Sequence, residues 1–237
     1  MLTARMGVRQ ADGGLARIVL TGGGIGTAVL EATTRDPDRD TVDWAHVEFW
    51  WGDERYLPSG DPDRNDTGAR SALLDHIGVD PQHVHAMQGP DLSTSPEASA
   101  EHYANLLRAH ALTEDHDEVP PFDVVLLGIG PDTHIASLFP EHPALHVTDR
   151  STAAVHDSPK PPPTRVTLTL PAINAASEVW VLASGSEKSE AVRLALDPAA
   201  DVLQVPAAGV AGRDRTLFLI DEAAAARLPL DLGRPIA

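Results

Sequence analysis

Short apolar runs alternate with helix-like patterns along most of the chain. Val47–Trp51 and Glu178–Ala183 have the length and the β-branched and aromatic content of buried strands. In Ser95–Ala111, apolar residues recur at helical spacing and a proline stands in the first turn. The predicted strands are Leu15–Thr21, Val47–Trp51, Phe122–Leu127, Ala153–His156, Arg165–Leu170, Glu178–Ala183 and Thr216–Ile220. The predicted helices are Thr27–Thr33, Asp66–Ile77 with Asp66 as N-cap, Ser95–Ala111, Ser186–Leu196 and Glu222–Leu228.

This alternation predicts an α/β fold with a mostly parallel sheet flanked by helices on both faces, in a modified Rossmann-like arrangement. The linkers at Pro58–Asp63, Thr113–Pro121 and Ser158–Pro163 are rich in proline or aspartate. Because no internal repeat or clear boundary interrupts the pattern, we expect a single domain over residues 1–237.

Composition narrows the range of partners and compartments. The formal net charge is −17, which argues against nucleic acid or an anionic membrane surface as a partner. No apolar stretch is long enough for a membrane span, and Met1–Gln10 lacks the layout of a secretion signal. The chain has no cysteine, which excludes disulfides and fits a reducing cytoplasm. We therefore expect a cytoplasmic location.

The segment LLGIGPDTHIASLFP, residues 126–140, is the strongest candidate for a site. An apolar run ends in Gly128 and Gly130, and Asp132 and His134 follow at once. Open α/β sheets bind ligands at this end of their strands. His134 is suited to act as a general base, with Asp132 close enough to orient its ring. The alternative is a histidine that only caps a turn or binds a backbone carbonyl.

Two earlier strand ends also carry candidate ligand-binding groups. Gly22, Gly23 and Gly24 precede a helix, where backbone N–H groups can bind an anion, although a simple tight turn explains them equally well. In the segment 53–55, Arg55 could pair with a phosphate or carboxylate, while Asp53 and Glu54 could bind hydroxyls or orient Arg55. The alternative is a solvated charged loop.

Cations follow two later proline- or glycine-rich turns. Arg165 comes after the run SPKPPPT, and Lys188 lies in the first turn after Gly185. Each could be an ordinary surface residue, but their repeated position at strand ends favours a convergent anion pocket. We expect no metal, because the chain has no cysteine, HExxH motif or carboxylate cluster, and His83 and His85 form only a short pair on a predicted loop. There is no G-x-S-x-G nucleophile elbow either.

Together these segments resemble the 6-phosphogluconolactonase family, within the glucosamine-6-phosphate deaminase and ribose-5-phosphate isomerase-like fold group. The resemblance covers nearly the whole chain. Its specific part is GIGPDTHIASLFP against a family pattern GxGxDGHTASLFP. The other matches are TGGGIG, Asp53-Glu54-Arg55, Asn65, the segment Lys160–Pro171 and the turn Gly185–Lys188.

The resemblance implies hydrolysis of 6-phospho-D-glucono-1,5-lactone to 6-phosphogluconate in the oxidative pentose phosphate pathway. His134 would activate water and Asp132 would assist it, without metal or organic cofactor. The implied partner is this sugar phosphate lactone, with no nucleic acid or membrane, and the expected state is a monomer. The implied substrate- and phosphate-binding residues are Gly22, Gly23, Gly24, Asp53, Glu54, Arg55, Asn65, Gly130, Arg165 and Lys188. Arg55 or backbone N–H groups near Gly130 would stabilise the oxyanion.

Two other functions stay open. One is a glucosamine-6-phosphate deaminase or isomerase type of enzyme, which in the matching loop has a glutamate that assists ring opening. Phe139 stands at that place here, and an apolar ring cannot carry a proton. The other is a non-catalytic sugar-phosphate sensor on the same fold, against which the retained Asp132 and His134 count.

The chain departs from the family pattern in three places. Gly24 and Gly26 replace a hydroxyl residue and a proline, which removes any side-chain phosphate contact there. Thr133 replaces a glycine, so we expect its backbone to avoid a strongly positive φ. Few residues precede Ala16, so either the start is misassigned or the usual amino-terminal helix is lost, leaving one sheet face less covered.

Overall fold

Five parallel strands form the central sheet of the protein, which we describe from a computed structural model covering residues 1–11, 13–111 and 118–229. The strand order is β2-β1-β4-β7-β8, and every neighbouring pair is parallel. The predicted α/β class with a mostly parallel sheet is confirmed. The strands are β1 (Ala16–Leu20), β2 (Val47–Trp51), β4 (Val124–Gly128), β7 (Glu178–Ala183) and β8 (Arg215–Ile220).

A second, smaller sheet is antiparallel and has the order β3-β6-β5. Its strands are β3 (Asp53–Arg55), β5 (Thr152–Val155) and β6 (Arg165–Leu168). Only Gly52 separates β3 from β2, so one continuous stretch of chain contributes to both sheets. The sequence pattern predicted β5 and β6 but not β3, because a three-residue charged strand has no apolar alternation to reveal it.

Helices cover both faces of the central sheet. They are α1 (Leu2–Gln10), α2 (Gly23–Thr34), α3 (Asn65–Ala72), α4 (Pro96–His110), α5 (Leu170–Asn174) and α6 (Ser189–Ala195). Short 3-10 turns lie at Arg39–Thr41, Trp44–His46, Leu74–His76, Pro81–His83, Pro143–His146, Ser186–Lys188 and Pro206–Gly209. In the described part of the chain, no helix is long and apolar enough to cross a membrane.

Alternating strand residues divide the core into two clusters. On β2, Phe49 and Trp51 face one side, where they pack with residues of α1, α2 and α3. Trp50 faces the other side, with residues of α4, α5, α6 and the small sheet. The period of two along each strand thus buries both faces, which is why these strands are apolar throughout.

The predicted helix Glu222–Leu228 is wrong. The chain there forms successive turns over residues 222–227 after a helix-like start, in which the Asp221 carboxylate accepts from the N–H of Ala224 at 2.8 Å. Pro229 follows and has no N–H, and it also disfavours helical geometry at Leu228. The segment therefore ends before a regular helix is established.

The sequence left open that the amino-terminal helix is lost, and that alternative is wrong, because α1 precedes β1. Leu2 and Met6 are buried on one of its faces. Arg5 Nε lies 3.1 Å from Glu178 and Arg9 Nε lies 3.2 Å from Asp123, both carboxylates being near strand starts. Since the partners of these two arginines lie more than a hundred residues away, α1 had little local signal in the sequence.

Shortening Met6 tests how much α1 contributes to stability. Met6 is fully buried, so Met6→Ala should lower the free energy of unfolding by about 2–5 kcal/mol. Val8→Ala is the matched control on the same helix, because Val8 is 61% exposed and should change stability by less than about 0.5 kcal/mol. Urea unfolding measures both, and equal effects would contradict the packing of α1 described above.

Candidate active site

A cleft of about 610 Å³ opens at the carboxyl ends of β1, β4 and β7. From β1 the chain passes outward to β2, whereas β4 leads to β7 on the opposite side. The loops after β1 and β4 therefore diverge at this point, which is where open α/β sheets bind ligands.

The cleft gathers most of the side chains and turns that the sequence singled out. Asp132 supports it through His134, whereas Glu54 does not line it. The predicted residues that line it are Gly22, Gly23, Gly24, Asp53, Arg55, Asn65, Gly130, His134, Arg165 and Lys188. No set of three metal-binding side chains in the described ranges includes a residue of this cleft.

His134 and Asp132 form a hydrogen-bonded pair. His134 Nδ1 lies 2.6 Å from Asp132 Oδ1, and 15% of the His134 side chain is exposed. Because the carboxylate can only accept, a neutral imidazole in this pair carries its proton on Nδ1 and keeps the lone pair of Nε2. The loop is closed by Gly130, whose N–H donates to the carbonyl of His134 at 2.9 Å.

The side chains of His134 and Asp132 approach the backbone of Gly130 so closely that a glycine is needed there. A Cβ at this position would stand 2.0 Å from His134 Nδ1 and 2.3 Å from Asp132 Oδ1. No real Cβ tolerates such distances, so any larger residue must displace the imidazole or the carboxylate.

Lys160 lines the cleft as well, and the sequence assigned it no specific role. Its Nζ donates to Asp132 Oδ1 at 3.1 Å and lies 3.2 Å from His134 Nδ1. Partial burial acts to raise the pKa of Asp132, but the hydrogen bonds from His134 and Lys160 outweigh it and hold that pKa well below its usual range. The available signal was composition: Lys160 is one of only two lysines in the chain.

The expectation for Thr133 is wrong, because its φ is +69°. This buried residue donates from its N–H to the carbonyl of Gly130 at 2.9 Å, and its own carbonyl accepts from Ala207 at 3.1 Å. Surrounding hydrogen bonds can hold a non-glycine residue in the left-handed region when they overdetermine the turn. The loop therefore keeps the conformation that glycine would adopt, although a positive φ is unfavourable for a threonine.

The first glycine turn packs directly against Asn65. A Cβ on Gly22 would lie 1.7 Å from Asn65 Oδ1, so a larger residue at this position must displace the Asn65 side chain. Asn65 Nδ2 donates to the carbonyl of Asp53 at 2.8 Å. Gly23 has a φ of +71° and begins α2, which places the amino terminus of that helix at the cleft.

Glu54 was predicted to bind substrate, but it lies outside the cleft lining and caps the start of α3 instead. Its two carboxylate oxygens accept from the N–H groups of Asn65 at 2.7 Å and Asp66 at 2.9 Å, at the start of α3. Asp66 is consequently not the N-cap that the sequence suggested, since Arg64 takes that position. Burial raises the pKa of Glu54 to about 7. The alternative of a solvated loop is also wrong, because Asp53 and Glu54 are both buried.

Three further cations reach the cleft in different states. Arg55 donates from Nη1 to the carbonyl of Asp63, and its buried Nε has no hydrogen-bond partner among the described residues. Arg165 is buried and donates to the carbonyls of residues 160, 161 and 162. It thereby holds the loop that carries Lys160.

Lys188 is the third of these cations. It donates to the carbonyl of Ile129 at 2.9 Å, and its burial together with the nearby charge of Lys160 lowers the pKa of Lys188.

Phe139 lies beneath the imidazole. Its ring centroid is 4.5 Å from that of His134, and the Arg165 guanidinium lies 5.7 Å from the Phe139 ring on a cation–π contact. An apolar ring thus borders the pair of His134 and Asp132 at the position where the deaminase-like pattern has an acid.

Comparison with known proteins identifies the family. Residues 2–219 match the family model of glucosamine-6-phosphate isomerases and 6-phosphogluconolactonase. The chain belongs to this family. A 6-phosphogluconolactonase of Streptomyces coelicolor is 54% identical over 95% of the chain and 87% of its own length. One of Mycobacterium tuberculosis is 46% identical, over 96% and 91%.

A solved structure supports the same family assignment. The 6-phosphogluconolactonase of Trypanosoma brucei superposes with a TM-score of 0.81 at 28% identity, covering 96% of this chain and 92% of that one. The sequence-based resemblance to the 6-phosphogluconolactonase family is therefore confirmed.

Gly130→Ala should separate His134 from Asp132. Because the new Cβ would overlap both side chains, Asp132 should lose the hydrogen bond from His134, and its pKa should rise towards the ordinary value of 3.8. NMR titration of the Asp132 carboxyl carbon measures this. Gly78→Ala is the control, since a Cβ there meets nothing within 4 Å. An unchanged Asp132 pKa in Gly130→Ala would contradict the close approach.

Lys160→Met should also raise the pKa of Asp132, because it removes a donor at 3.1 Å and a positive charge. A carboxylate whose pKa is lower in the folded than in the unfolded state stabilises the fold above the unfolded pKa. That stabilisation is lost as the pH falls through the folded pKa. The variant should therefore lose less stability than the wild type on acidification below pH 3.8. The same NMR titration checks the shift, with Lys160→Arg expected to keep the low value.

Proposed function

We propose that the protein hydrolyses 6-phospho-D-glucono-1,5-lactone to 6-phosphogluconate, a step of the oxidative pentose phosphate pathway. The single observation that carries this proposal is His134, paired through Nδ1 with Asp132 in a cleft lined by cations. The relatives named 6-phosphogluconolactonase, at 46% and 54% identity over most of their length, support it independently.

His134 acts as general base through Nε2. With Nδ1–H donated to Asp132, Nε2 takes a proton from water as the water oxygen attacks the lactone C1 carbonyl. The tetrahedral intermediate then collapses, the bond between C1 and the ring oxygen breaks, and the imidazolium returns its proton to that oxygen. Asp132 stays ionised throughout because its pKa is low, so it stabilises the imidazolium between the two steps.

Cations and the amino terminus of α2 supply the remaining charge stabilisation. Arg165, Lys188 and the turn Gly22–Gly24 line the cleft together, and we assign the substrate phosphate to them. The N–H of Gly130 is already bound to the carbonyl of His134, so it is not free for the oxyanion. For the oxyanion, the sequence suggested Arg55 or backbone N–H groups near Gly130. Arg55 is the better donor, because its Nε lacks a partner among the described residues.

A deaminase type of reaction lacks the glutamate of the matching loop here, since Phe139 stands at that position and its apolar ring packs against His134. The expectations of a monomer in the cytoplasm stay predictions, which size-exclusion chromatography with light scattering and cell fractionation test.

His134→Ala should reduce lactone hydrolysis by about 10²–10⁴-fold, towards the spontaneous rate, because the general base is lost. The measurement is release of acid from freshly generated lactone, corrected for spontaneous opening. The control is His146→Ala, which removes an exposed histidine outside the cleft and should keep wild-type turnover. If wild type and His134→Ala both match the spontaneous rate while folded, the proposed function is wrong.

Lys188→Met should weaken use of the phosphorylated substrate specifically. Losing one charged hydrogen bond to phosphate should lower kcat/KM for the 6-phospho-lactone by about 10- to 100-fold. Hydrolysis of unphosphorylated glucono-1,5-lactone should hardly change, because that substrate has no phosphate to bind. Equal losses on both substrates would place Lys188 at the reacting carbonyl instead.

A further inference from the structure

Two histidines and a glutamate meet away from the cleft, near the amino-terminal edge of the central sheet. Glu48 is the second residue of β2, His110 is the last residue of α4, and His85 follows the chain segment that pairs with Phe49. One ligand atom from each lies within 4.8 Å of the other two. The cleft opens at the opposite, carboxyl ends of the strands.

His85 has an unsatisfied nitrogen in this cluster. The residue is 7% exposed and its ring stacks on Trp50 with centroids 3.9 Å apart, yet its buried Nε2 has no hydrogen-bond partner among the described residues. A buried polar atom without a partner costs free energy, so it needs an explanation.

Glu48 is held in position by groups on its far side. Its Oε2 accepts from Arg17 Nε at 2.9 Å and from Trp50 Nε1 at 3.3 Å. Oε1 faces His110 instead, 3.3 Å from Nδ1. In a tetrahedral site with ligand atoms about 2.1 Å from the metal, two ligand atoms lie about 3.4 Å apart. The separation of Glu48 Oε1 and His110 Nδ1 is close to that value. Second-sphere donors of this kind orient a ligating carboxylate.

We propose that Glu48, His85 and His110 bind a divalent transition metal ion, with zinc the best fit. Two imidazoles and one carboxylate form a ligand set typical of Zn²⁺ sites, with water in the fourth position. The His110 side chain is 31% exposed, which gives the ion a route of entry and room for that water. The ion would connect β2, the segment that contains His85 and the end of α4. It would therefore stabilise the fold.

Isothermal titration of the full-length, untagged chain with Zn²⁺ tests this site. Wild type should bind one ion, and His85→Ala and His110→Ala should each lower the affinity by at least about 100-fold, since each removes a direct ligand. The control is His102→Ala, an exposed histidine on the same helix as His110, which should bind like wild type. Saturating zinc, at 100 times Kd, should raise the wild-type Tm by about 5–10 °C.

Cobalt substitution adds a readout of geometry that does not depend on stability. Wild type with Co²⁺ should show the visible absorption of a four-coordinate ion, and His110→Ala should lose it while remaining folded by circular dichroism. Binding that is absent in wild type, or unchanged in both His85→Ala and His110→Ala, would overturn the proposal. Lactone hydrolysis should be the same with and without a chelator, so this inference and the proposed function fail independently.

Discussion

Two buried carboxylates on β3 join the parts of the chain that form the cleft. Asp53 Oδ2 accepts from Ser137 Oγ at 2.6 Å, and Arg165 Nη1 lies 3.9 Å from the same oxygen. Glu54 accepts from the first two N–H groups of α3. A buried charge is tolerated only when it is paired or well hydrogen-bonded, so these acids force the histidine loop, the small sheet and α3 into one arrangement.

In this arrangement, two glycines of the cleft lie so close to neighbouring side chains that a larger residue would displace them. Gly22 lies against Asn65, and Gly130 lies against His134 and Asp132. Thr133 shows the complementary case, in which neighbouring hydrogen bonds hold a branched residue at positive φ. His134 and Asp132 are therefore held in hydrogen-bond contact in the free protein, so the fold has already met the conformational cost of pairing them.

The central sheet separates two kinds of histidine environment. At its carboxyl edge, His134 has a carboxylate on one ring nitrogen and open cleft on the other side. At its amino edge, His85 is buried beside Glu48 and His110 with a nitrogen that has no partner among the described residues. The first arrangement suits proton transfer, whereas the second suits coordination.

The sequence by itself determined the strands of the central sheet, the long helix α4 and the glycine-rich loop that carries His134, because their apolar periods and glycine turns are local signals. It also placed His134, Asp132 and most cations at strand ends. Only the tertiary structure decided the place of α1, the strand β3, the capping role of Glu54 and the contact of Lys160 with Asp132. Each of these depends on a partner distant in the chain or on a charged group whose burial no local pattern predicts.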